Sequence, residues 1–98
     1  MARWVCIFED TPQMLDIRVE RRALHLAYLE RNEGRILIAG GLSREDGEPP
    51  GGGLWVMEAA DREEAKRIVE NDPYFVPHCR SYRLFVWNKT LKDRTAVL

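Results

Sequence analysis

One imidazole, one carboxylate and neighbouring guanidinium groups are the side chains of this sequence best suited to moving a proton. His25 and Arg22 are three apart, hence on one face of a helix, with Arg21 beside them; Asp72 opens the run Asp72-Pro73-Tyr74. A carboxylate next to a histidine fixes the ring tautomer and stabilises the imidazolium. The other ring nitrogen is then free to act as general base or acid near neutral pH. Arg22, through its planar donor fork, and Tyr74 would position an anionic oxygen of the substrate. Such residue types are common, and Asp before Pro is also an ordinary helix-stop residue. The assignment therefore rests on the fold bringing positions 25 and 72 together.

The elements that would do so can be read along the chain. Arg3 to Phe8 is an apolar, β-branched and aromatic run, a first strand, broken by Asp10-Thr11-Pro12. From about Asp16 to Asn32 the chain is rich in Leu, Ala, Arg and Glu without internal Gly or Pro, which predicts a helix closed by Gly34. Val19, Ala23, Leu26 and Ala27 keep helical spacing along it. Arg35 to Leu42 predicts a second strand, Ser43 to Gly53 a Gly- and Pro-rich hairpin loop, and Leu54 to Ala59 a third strand. Asp61 and Glu64 have capping-box spacing, so a second helix starts there, buries Ala65, Ile68 and Val69, and stops before Pro73. Ser81 to Trp87 is the fourth strand, and a polar tail follows from about residue 88.

The order βαββαβ predicts a ferredoxin-like α+β domain spanning 1–98: a four-stranded antiparallel sheet with two helices on one face. The first helix runs down from the end of the first strand and the second rises from the opposite end. The segment after the second helix, Asn71 to Tyr74, is thereby carried to the early turns of the first. The strands are apolar on both faces: Trp4, Cys6 and Phe8 oppose Val5 and Ile7, Ile36 and Ile38 oppose Leu37 and Ala39, and Tyr82, Leu84 and Val86 oppose Phe85 and Trp87. Two helices cover one side only. A bare patch of several hundred square ångströms exceeds what most soluble monomers expose, so a sheet-to-sheet homodimer with two-fold symmetry is expected.

Composition narrows the classes of function. Fifteen basic against sixteen acidic residues give a net charge of −1, unlike the clustered positive charge of a nucleic-acid binder. The βαββαβ order is shared with the RNA recognition motif. Yet Gly53-Leu54-Trp55-Val56-Met57-Glu58 lacks the basic and paired aromatic pattern that motif carries on its third strand. The apolar runs are far short of the roughly 20 residues that span a bilayer, and no signal-peptide pattern opens the chain. Cys6 and Cys79 do not make a disulfide framework, and adjacent His78 and Cys79 do not make a tetrahedral metal site. A cytoplasmic protein without metal or cofactor is expected.

The ordered set Arg22-Ala23-Leu24-His25-Leu26, Leu29, Gly34-Arg35, Ala39-Gly40, the Gly-rich loop and Asp72-Pro73-Tyr74 resembles the YCII-related (YciI-like) family, over roughly Arg3 to Trp87. The resemblance implies a ferredoxin-like fold paired into a dimeric α/β barrel and an enzyme with a His–Asp pair, here His25 and Asp72. Arg22, Gly40 and Tyr74 would be the substrate contacts. Gly41, where relatives often carry proline, and the segment 43–53 depart from the family and leave the substrate open. The expected function is cofactor-free acid/base chemistry of lyase or isomerase type on a small cyclic or oxygenated organic substrate. The alternative is a dimer that binds a small ligand in the same pocket without consuming it.

Overall fold

A computed structural model describes residues 1–98. The elements follow as β1 (Ala2–Asp10), α1 (Met14–Arg31), β2 (Ile36–Leu42), β3 (Gly52–Ala59), α2 (Arg62–Glu70) and β4 (Arg80–Val86). The strands form one sheet in the order β2-β3-β1-β4, every neighbouring pair antiparallel. This is the ferredoxin-like α+β arrangement that the sequence predicts. No helix is long and apolar enough to cross a membrane.

The core lies between the sheet and the helices. Trp4, Cys6 and Phe8 of β1 and Trp55, Met57 and Ala59 of β3 are its central rows, and α2 closes it with Ala65, Ile68 and Val69. Burying a side chain the size of Met57 contributes about 1.5–3 kcal/mol. Burial pushes the Cys6 thiol up to about 12, against the opposing pull of Arg80, so Cys6 stays protonated and serves as a small apolar packing unit. Asp61 caps α2 by accepting from the backbone N–H of Glu64 at 2.8 Å, as the capping-box spacing implies.

Packing sets the face of α1 and corrects the expected faces of β2. Helix α1 turns Val19 to solvent at 82% exposure and Leu26 at 42%, with Ala23 also exposed. Its inward row is instead Met14, Ile17, His25, Tyr28 and Leu29. The helix has two apolar stripes, and the one with the larger side chains wins the core. Tyr28 secures it by donating its hydroxyl to the carbonyl of Ile68 on α2. In β2 a bulge falls between Ile36 and Ile38. Ile36 pairs with Met57 and Ala39 with Trp55 on the helix side, while Ile38 pairs with Val56 on the outer side. One extra residue thus puts Ile36 and Ile38 on opposite faces rather than on the same one.

The outer face of the sheet has no helix. Val5, Ile7, Ile38, Leu54 and Val56 are half-buried there, and Leu37, Phe85 and Trp87 are exposed. The C-terminal segment, without regular structure, borders a groove of about 710 Å³ along one side of this face, beside Leu37, Ile38, Val56 and Trp87.

Candidate functional site

The site forms at the end of the sheet where β1 and β2 finish and β3 and β4 begin. Only Thr11 to Gln13 separate β1 from α1, so the first half of α1 lies above that edge. The chain after α2 arrives from the other side. Between them is a small cavity of about 180 Å³. Its walls include Arg18, Arg22, His25, Leu26 and Leu29 of α1, Phe8 and Trp55 of the sheet, Gly40 and Gly41 at the end of β2, Gly53, Tyr74 and Arg80.

His25 and Asp72 touch. Nδ1 of the imidazole is 2.7 Å from Oδ1 of the carboxylate, which is almost fully buried. The same oxygen accepts the backbone N–H of Tyr74 at 3.2 Å. The turn that stops α2 therefore orients the carboxylate by closing an Asx turn on itself, and helix stop and histidine partner are one device. An ionised carboxylate can only accept, so the proton of a neutral ring sits on Nδ1. Nε2 is left with its lone pair on the side of the ring that has no protein partner.

The imidazole is held from a second direction. The Tyr74 ring stacks on it at 3.7 Å between centroids and 6° between planes. The Tyr74 hydroxyl donates to the backbone carbonyl of Arg18 at 3.0 Å, and Arg21 Nη1 donates to the carbonyl of Pro73 at 3.0 Å. Tyr74 thus spends its hydroxyl on α1, and what it offers the cavity is the ring. Arg22 lines the cavity from an exposed position and takes no hydrogen-bond partner in the protein. Gly40 also lines it, and a Cβ built there would meet nothing within 4 Å, so the space a side chain would fill remains open.

Three charged residues of the site carry no motif in the sequence. Asp10, at the end of β1, accepts Nε of Arg80 at 2.7 Å and Nη2 of Arg80 at 3.0 Å, a bidentate pair, and Nη2 of Arg18 at 3.1 Å. Arg80 lies with its guanidinium 4.4 Å above the Phe8 ring. Gly52 supplies a further acceptor for Arg18 at 2.8 Å. A Cβ on Gly52 would come within 2.1 Å of the Phe8 carbonyl, so only glycine allows β1 and β3 to approach here. His78 is exposed and Cys79 is buried beside Met14 and Tyr74; no group of three His, Cys, Asp or Glu side chains converges in a metal-ligating cluster.

Fold and site together define a ferredoxin-like α+β protein whose His–Asp pair borders a small, arginine-lined cavity. The YCII-related domain family matches residues 2–88, and the chain belongs to that family. No curated protein matches it. Among solved structures it is similar to 5-chloro-2-hydroxyhydroquinone dehydrochlorinase (TftG) from Burkholderia phenoliruptrix in complex with 2,5-dihydroxybenzoquinone. The TM-score is 0.75 at 28% identity, covering 88% of this chain and 93% of that one.

Proposed function

We propose that the protein is a small-molecule enzyme of lyase type that uses His25 as its proton-transfer group, oriented by Asp72, on a small hydroxylated or quinone-like ring. The observation that carries this reading is the 2.7 Å contact between Nδ1 and a buried carboxylate on a histidine that lines a cavity. The similarity to a dehydrochlorinase with a dihydroxyquinone bound supports the reaction type and the substrate class. In such a step Nε2 takes a proton from the substrate. The ring reacts as its keto tautomer, where the carbon bearing the leaving group is sp3 and also carries a hydrogen. The electron pair released at a hydroxyl oxygen forms a carbonyl, the ring double bond shifts onto that carbon, and the leaving group departs with its bonding pair. The imidazolium then gives its proton to solvent. Overall one molecule of HX is lost and nothing is oxidised or reduced.

Chloride release from 5-chloro-2-hydroxyhydroquinone, followed with a chloride electrode against a protein-free blank, tests this. His25→Ala should lower the rate by about 10²–10⁴-fold, the usual contribution of a positioned general base. Full activity in that variant would remove the assignment, and saturable binding without consumption would make the chain a ligand-binding protein instead.

The functional unit in this proposal is a homodimer joined through the outer face of the sheet. Half-buried Val5, Ile7, Ile38, Leu54 and Val56, with exposed Leu37, Phe85 and Trp87, supply an apolar surface that a second copy would cover. Val56→Asp places a charge at its centre. Sedimentation equilibrium should then report one chain where the unmodified protein reports two; a dimer that survives the substitution would place the interface elsewhere.

A further inference from the structure

We infer that the cavity selects a small, flat ligand bearing a fixed negative charge on oxygen, and that Arg18 is the residue that binds that charge. The inference rests on the reading of this cavity as a substrate site. Three guanidiniums, of Arg18, Arg22 and Arg80, line the cavity and no carboxylate does. Asp10 and Asp72 stand behind the wall, both already holding hydrogen-bond donors of the protein. Three guanidiniums face two carboxylates, and one guanidinium is left without a counterion.

The three arginines are not equivalent. Arg80 is buried and its Nε and Nη2 are both committed to Asp10, so it anchors the wall. Arg22 is exposed, where solvent weakens any contact it makes. Arg18 is the intermediate case. One nitrogen, Nη2, serves both Asp10 and the Gly52 carbonyl. Its Nη1 makes no hydrogen bond in the protein and is the donor left for a ligand, while its Nε is sealed from solvent and is also without a partner. A buried donor without an acceptor is costly and uncommon in folded proteins, and here it belongs to a side chain lining a cavity otherwise short of acceptors. Phe8 and Trp55, packed edge to face at 5.1 Å, give the same cavity an aromatic floor. A planar ring with an ionised oxygen matches both the floor and the unused donors.

The charge is carried by either a carboxylate or an ionised ring hydroxyl, and two probes separate these. Benzoate represents the first, 2,5-dihydroxybenzoquinone (ionised at neutral pH) the second, and benzamide is the neutral counterpart of benzoate. In calorimetric titrations of the full chain, one or both anions should bind at least tenfold tighter than benzamide, the tighter of the two identifying the source of the charge. The preference should shrink as salt is raised. Arg18→Gln should weaken the anion at least tenfold and leave benzamide unchanged. Should that variant not fold, the unmodified chain still decides, because the bound anion must shift the ¹⁵N–¹H signals of the Arg18 guanidinium. Failure of both anions to bind tighter than benzamide, an anion affinity indifferent to Arg18→Gln, or no binding of either anion would overturn the inference. The proton-transfer reading fails separately. Turnover without charge selectivity sinks only the role of Arg18, whereas charge-selective binding without turnover supports that role and sinks the enzyme.

Discussion

Asp72→Asn should reduce turnover by about 10²–10³-fold, and Asp72→Ala by about 10³–10⁴-fold, with the ligand still bound by both. The two values differ because of which oxygen does the work. In many His–Asp pairs an amide in place of the carboxylate presents its NH₂ to the ring, reverses the tautomer and costs about 10⁴ in rate. Here a single oxygen, Oδ1, accepts from both His25 and the backbone N–H of Tyr74. An asparagine whose oxygen keeps the Tyr74 N–H therefore also keeps Nδ1–H, and the tautomer survives. What is lost is the negative charge that stabilises the imidazolium; a hydrogen bond to a charged group contributes about 1.5–3 kcal/mol, against about 1 kcal/mol for a neutral one. Alanine removes the orienting acceptor as well and strands the Tyr74 N–H. Steady-state kinetics of chloride release give the rates. The ¹⁵N shifts of His25 give the tautomer, which should be unchanged in Asp72→Asn and mixed in Asp72→Ala. Equal rates for the unmodified chain and Asp72→Ala would reduce the carboxylate to a helix stop.

Much of this arrangement is legible in the sequence because it is built from local signals. The Asp61–Glu64 capping spacing, the stop at Asp72-Pro73 and the Gly-rich hairpin each act over a few residues, and together they yield βαββαβ. That order alone carries the chain after α2 to the middle of α1, hence Asp72 to His25. The inward face of α1 is not legible in the same way. Two apolar stripes satisfy the helical period equally well, and the choice falls to volume and to a hydroxyl that reaches Ile68, 40 residues away in sequence. The bulge in β2 is likewise invisible to strict alternation, because one extra residue reverses the faces that follow it. Arg18, Arg80 and Asp10 are illegible in the sequence for a different reason. Charged residues are read as solvated unless a partner is in view, and Arg80 finds its partner 70 residues away, across β1 and β4.

That pairing carries the other large expected effect. Asp10→Ala should destabilise the fold by about 3–5 kcal/mol, the usual result of removing one partner from a buried ion pair. Arg80 and Asp10 are 3% and 1% exposed at the side chain, so water cannot replace the carboxylate, and Arg18 loses an acceptor in the same step. The contrast within the same region is Arg83→Ala. Its partner Glu9 lies 3.5 Å away and both side chains are more than half exposed, so the change should stay below about 1 kcal/mol. Urea unfolding at one fixed protein concentration reads both variants, since an associating chain has a concentration-dependent midpoint. The control for charge burial is the double replacement Asp10→Leu with Arg80→Met. Removing both partners leaves no orphaned charge, so it should recover most of the stability lost in Asp10→Ala. If the double variant is as unstable as the single one, the pair contributes through its own attraction rather than through the penalty of a stranded guanidinium. Asp10 also holds Arg18 in place, so the double variant should weaken anion binding while remaining folded. Stability and ligand recognition would then separate at one residue pair: the carboxylate keeps the arginines in place, and the arginines give the cavity its sign.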